Sequence, residues 1–192
     1  MMRYRRLTLA LSEKELAKKT IQYHFQEQKK LFLNVYQKLV KQCNPVVYYE
    51  HDYFGRDTVM AVVSLGIAPD RQIQSYQEQG EYLAAYAVEC VSMALLSCAY
   101  EEVRKFFYKE KNKFLNHIDF FDQEELPEVL MQIKYNWKSL PIQWNEVCAI
   151  IPSKTVVFRG TLEEEKCHSL HDCSKCENKN CIFRMTGEEN GN

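Results

Sequence analysis

Polar and apolar residues alternate from Arg3 to Leu11, with Leu7, Leu9 and Leu11 on one side, and this period of two predicts a strand with one buried face. Ser12 followed by Glu15 is the signature of a capping box, and it opens a stretch without proline or glycine that reaches about Gln42. Within that stretch Leu16, Ile21, Phe25, Leu31, Leu33, Val35 and Leu39 recur at helical spacing, as one long helix or two short ones. Pro45 ends it. Residues 46–53 and 57–65 are β-branched and aromatic runs on either side of Gly55, the pattern of a hairpin. Gly66 and Pro69 precede a short helix, and Gly80 precedes a long apolar one that continues to about Tyr108. A further helix is predicted over 123–139, where Leu126, Val129, Leu130, Ile133 and Trp137 keep a helical period and Pro127 suits the first turn. Residues 147–151 and 155–158 follow as two strands or one interrupted strand. The order β-α-β-β-α-α-β-β predicts an α+β fold on a largely antiparallel sheet.

Length and composition set the frame around these elements. The 192 residues suit one α+β domain over 1–160 followed by a cysteine-rich tail over 161–192. With 46% hydrophobic and 27% charged residues the chain is globular, not disordered. Its 25 basic and 26 acidic side chains leave a net charge of -1, so no general field draws it to nucleic acid or to an anionic membrane, and neither is expected as a partner. Lys14, Lys18, Lys19, Lys29, Lys30, Lys38 and Lys41 make the polar side of residues 12–42 basic, the pattern of a docking face or, more commonly, of plain solvation.

Residues 82–100 are nearly long enough to cross a membrane and carry a single charge, Glu89. Their flank of Glu101, Glu102, Arg104 and Lys105 favours a core helix buried on all sides. Ala84, Ala85, Ala87, Ser92, Ala94 and Ser97 would let neighbouring backbones come close, and Glu89 needs a partner or a solvent-facing end. The N-terminus is basic, but its apolar part alternates and stops at Ser12, too short for a signal-peptide core. A cytoplasmic location is expected.

The absent motifs exclude several enzyme classes. With six glycines and neither Gly-x-Gly-x-x-Gly nor a Walker loop, no dinucleotide or phosphate cradle is visible. No Gly-x-Ser-x-Gly elbow or His-Glu-x-x-His pair occurs, His24, His51 and His117 each stand alone, and no catalytic residue is assigned. Of eight cysteines, Cys43, Cys90, Cys98 and Cys148 read as small buried hydrophobes. The other four, Cys167, Cys173, Cys176 and Cys181, cluster with spacings of five, two and four residues. A Cys-x2-Cys turn aims two sulfurs at one point and two further thiols complete a tetrahedral metal site, with His168 and His171 as possible substitutes. Zinc or an iron-sulfur cluster would suit these ligands, and the spacing does not choose between them.

Several segments together resemble a known family. Residues 62–73, VVSLGIAPDRQI, are similar to the strand and turn before the first core helix of the reactivation domain of cobalamin-dependent methionine synthase. The Ala-rich helix ending Glu101-Glu102-Val103-Arg104-Lys105 is similar in length and character. Residues 151–158, IPSKTVVF, resemble the family's Pro-x-Lys-Ser-Val-Ser-Gly strand, which stand-alone relatives follow with a short cysteine cluster ending in arginine, as Cys173 to Arg184 does here. The resemblance spans about residues 45–184 and implies a twisted, largely antiparallel sheet with long helices packed around it. It further implies an accessory protein that binds S-adenosylmethionine and docks on a corrinoid protein or methionine synthase core to support reductive remethylation. If active, the chain would belong to that methyltransferase system, working by binding and orientation.

Two positions depart from the family pattern. Residues 111–121 hold no Arg-x-x-Pro-Gly-Tyr loop, the family's grip on the amino-acid end of the cofactor, and Met93 stands where an ungapped match places an acidic ligand. S-adenosylmethionine binding is therefore expected to be weakened, which leaves an alternative: a metal-stapled interaction module whose pocket has degenerated, filled by side chains such as Met93 and Phe114, with no catalytic activity. Lys154, in the Pro-Ser-Lys-Thr turn, reads either as a ligand contact or as a solvent-facing residue beside its strand, and the second is favoured.

Overall fold

A computed structural model describes residues 1–138 and 140–166. Strand β1 covers Arg3–Arg6, shorter than the alternation predicted, and beyond it Leu7 and Leu9 are still buried, with the Leu7 amide donating to Pro45 O at 2.9 Å. The capping box forms: Ser12 Oγ accepts from the Glu15 amide and the Glu15 carboxylate accepts from the Ser12 amide, starting α1 at Glu13–Gln22. Of the one-helix and two-helix readings the second holds. The chain breaks at His24, whose φ of 61° lies in the left-handed region, and this bend lets Tyr23 and Phe25 both pack on Phe32 of α2, Lys29–Gln42. Aromatic burial decides the break where no proline or glycine marks it.

Strands β2, Val46–His51, and β3, Thr58–Ser64, form the expected antiparallel hairpin. Helix α3, Ala68–Glu78, starts with Pro69 in its first turn, and α4 runs Tyr82–Lys111. Residues 111–121 carry a strand that the sequence pattern does not predict, β4, Phe114–Phe120. Helix α5, Leu126–Asn136, has Pro127 in its first turn. The predicted strand over 147–151 is reduced to a two-residue pair, β5, Gln143–Trp144, with β6, Ile150–Ile151, before β7, Thr155–Glu163.

The main sheet has the order β1-β2-β3-β7-β4, with every pairing antiparallel. Its central strand β3 is apolar without alternation because both faces are covered. Val59, Ala61 and Val63 pack with Phe158 and Leu162 against α2 and α4, whereas Met60 and Val62 pack with Val157 against Val129, Leu130, Ile133 and Trp137 of the α5 region. Trp137 is 2% exposed, and its indole donates to the Glu50 carboxylate at 2.8 Å, which satisfies the polar end of the ring.

Helix α4 meets the length and hydropathy of a membrane span, but 61% of its apolar window is buried inside the fold, which accounts for its composition. It is not covered on every side: Tyr82, Leu83 and Tyr86 are exposed. Of the four described cysteines only Cys90 is fully buried, and Cys43, Cys98 and Cys148 are half-buried.

Candidate functional site

The two segments that carry the sharpest sequence resemblance meet in space. Where β3 ends and β7 begins, Ser64 Oγ and Thr155 Oγ1 share a hydrogen bond of 2.7 Å, and the Leu65 amide donates to Lys154 O at 3.0 Å. Gly66 then turns the chain at φ 79°, beside Asn44. Glycine is favoured at that φ because it has no Cβ to clash. The turn brings the first residues of α3 onto the 151–158 segment. Asp70 accepts from the Ser153 amide at 3.0 Å and from the Ser153 hydroxyl.

Lys154 corrects the expectation of a solvent-facing side chain. It is 9% exposed, and its Nζ lies 2.5 Å from Glu89 Oε2 on α4. The alternation of β7 explains this: Lys154 shares the parity of Val156 and Phe158, which face α4. Glu89 thus has its partner, and the one charge within residues 82–100 of α4 is neutralised by a lysine at the mouth of a strand.

Around this pair a strip of the molecule is left open. Tyr82, Tyr86, Glu89, Met93, Ser97 and Tyr100 succeed one another on α4 at three- and four-residue steps, one face of the helix, and each is half-buried or exposed while the residues between them are mostly buried. Strand β4 covers β7 only from Phe158 to Glu163, whereas β3 pairs with it from Thr155 onward. Thr155, Val156 and Val157 therefore have a sheet neighbour on one side only. Phe120, the last residue of β4, is exposed and touches Tyr100 and Phe158 where the open strip begins. Burial pushes the Tyr100 hydroxyl above the ordinary tyrosine range, so it stays protonated at neutral pH.

Two clefts lie elsewhere, along β1. One, of about 280 Å³, is bordered by Arg6, Thr8, Cys43 and Leu95, and the other, of about 330 Å³, by Arg5, Tyr49, Phe106 and Lys109. Burial pushes the Cys43 thiol up to about 11 and raises Cys90 and Cys98 as well, so these three are poor nucleophiles at neutral pH.

Of the positions singled out in the sequence, Met93 lies half-buried on the open strip, one helical turn beyond Glu89. Phe114 does not join it: its ring stacks on Tyr108 at 4.5 Å, near the other end of α4. The span expected to hold an arginine loop is strand β4 instead, with a bulge at Asn116, whose side-chain amide donates to Glu163 and to Glu165 O. Cys167, Cys173, Cys176, Cys181, His168 and His171 lie outside the described residues. Among the described residues no group of three or more His, Cys, Asp or Glu is placed to hold a metal ion. The Glu89–Lys154 pair is the feature that sequence reasoning missed. Each residue drew attention alone, but only the parity of β7 joins them.

No protein-family model matches the chain, and no curated protein matches it by sequence. Among solved structures it is similar to the MetH reactivation domain bound to AdoHcy, with a TM-score of 0.58 over 88% of this chain and 80% of that one. The chain has the fold of that domain. Identity over the match is 8%, so the likeness is one of architecture and nearly every side chain differs.

Proposed function

We propose that the chain is an accessory module of a cobalamin-dependent methyl-transfer system. In this reading it docks on a corrinoid protein or methionine synthase core and binds an S-adenosyl amino acid on the open strip of α4 and β7. The observation that carries the reading is the fold shared, over 88% of the chain, with a domain solved with AdoHcy bound. It is supported by the meeting of Asp70 with Ser153 and of Glu89 with Lys154, which joins three separately recognisable segments at one place. The module contributes binding and orientation, holding a methyl donor where a reduced cobalt can take the methyl group. A cytoplasmic setting and a metal, zinc or an iron-sulfur cluster, on Cys167, Cys173, Cys176 and Cys181, in the sequence that follows β7, belong to the same proposal. Size-exclusion chromatography of the chain with a purified cobalamin-bearing module, in the presence of AdoHcy, tests it. Comigration of protein and cobalamin absorbance is expected, and separate elution at micromolar concentrations would count against the reading.

A second reading, a metal-stapled interaction module with a degenerate pocket and no catalytic activity, is favoured by one observation. Residues 111–121 contain strand β4 and carry no arginine to hold a ligand carboxylate. It predicts stoichiometric zinc and no measurable binding of AdoHcy.

A further inference from the structure

Lys154 and Glu89 are unequally placed. The lysine side chain is 11% exposed and the glutamate side chain 43%, so the pair is buried on its cationic side and open on its anionic side. An ammonium has three donors, and a single half-exposed carboxylate satisfies a buried one incompletely. The pair sits midway along the open strip. Tyr82 and Tyr86 offer exposed rings on one side of it, and Met93 and Ser97 lie on the other. The adjoining residues of β7, Thr155 to Val157, lack the strand that covers the rest of β7.

We infer that Lys154 and Glu89 form an exchangeable clamp for the zwitterionic end of an α-amino-acid ligand. The ligand carboxylate takes the Lys154 ammonium, and the ligand ammonium takes the Glu89 carboxylate. The inference rests on the proposed binding of an S-adenosyl amino acid and names the residues that hold its head group in a chain without an arginine loop. The exchange conserves charge: one ion pair opens, two form and no proton moves. A ligand with only one of the two charges opens the pair and leaves a partner unmatched, which makes the clamp selective for the zwitterion. A ligand with neither charge leaves the pair closed.

Calorimetric titration tests this with two probes, S-adenosylhomocysteine and 5′-methylthioadenosine, which keeps the adenosine and the thioether but lacks the amino-acid end. The proteins are the wild-type chain, Lys154→Met, Glu89→Gln and the double variant. Wild type is expected to bind S-adenosylhomocysteine roughly tenfold or more tightly than methylthioadenosine. Lys154→Met and the double variant should lose that preference while methylthioadenosine binds as before. Should Glu89→Gln fail to fold, the double variant removes both charges together and keeps the test open. Equal S-adenosylhomocysteine affinity in wild type and Lys154→Met overturns the clamp and leaves the proposed function standing. No binding of S-adenosylhomocysteine by wild type overturns the clamp and the proposed ligand together.

Discussion

At the scale of single residues, the molecule is most sensitive where packing leaves no room. A Cβ added at Gly160 would collide with the Leu115 side chain and lie 3.0 Å from Val59 Cγ1. Gly160→Ala is expected to cost about 1–3 kcal/mol by overpacking between β3 and β4, read as a lower midpoint in urea unfolding. The buried ion pair predicts an asymmetry. Glu89→Gln strands an ammonium that is 11% exposed, whereas Lys154→Met leaves a carboxylate that still reaches water. Glu89→Gln should therefore be the more destabilising of the two, by on the order of 1–3 kcal/mol, and equal losses in thermal melts would contradict the placement of Lys154. His51 gives a dependence on pH. Burial holds its imidazole below the ordinary range, with Lys111 and Arg3 adding to the effect and Glu110 opposing it. Its folded pKa lies below the unfolded value, so its contribution is full above about pH 6.5 and is lost as pH falls through the lowered folded pKa. His51→Gln should flatten the decline in stability on the acid side of neutrality, measured by urea unfolding at a series of pH values.

At the scale of elements, the local signals that were legible are the ones with local causes. The capping box at Ser12 and Glu15 depends on two residues three apart, and it stands in the structure as the sequence implies. Ser12→Ala should cost about 1 kcal/mol in α1, visible as a reduced melting temperature. The hairpin around Gly55 and the proline starts of α3 and α5 were readable for the same reason. Strand β4 was not, because its bulge at Asn116 breaks the alternation that marks a strand. The break between α1 and α2 was ambiguous because it is set by where Tyr23 and Phe25 find Phe32, a contact across the turn. The candidate site was half legible. Met93 and Glu89 were visible on one helix and Lys154 in one strand, but a strand residue's side is known only once its register is known, so Lys154 was misjudged as solvent-facing.

At the scale of the whole molecule, a five-stranded antiparallel sheet carries α2 and α4 on one face and α5 on the other. The same architecture occurs at 8% identity in the MetH reactivation domain because it depends on where apolar faces fall, which many sequences can satisfy. Function is a finer property, and it lives in particular side chains. In the proposed function those are the side chains on the open side of α4, at the uncovered start of β7 and in the charge pair between them. The central claim is that this surface serves a corrinoid partner, and a spectrum tests it most directly. A cobalamin-bearing module poised in the oxidised cobalt state is mixed with the chain, S-adenosylmethionine and a low-potential one-electron donor, and followed by visible absorption. The account predicts that the methylcobalamin spectrum returns faster with the chain than without it, and that Lys154→Met abolishes the acceleration. An unchanged rate, at concentrations of chain well above that of the module, would contradict it.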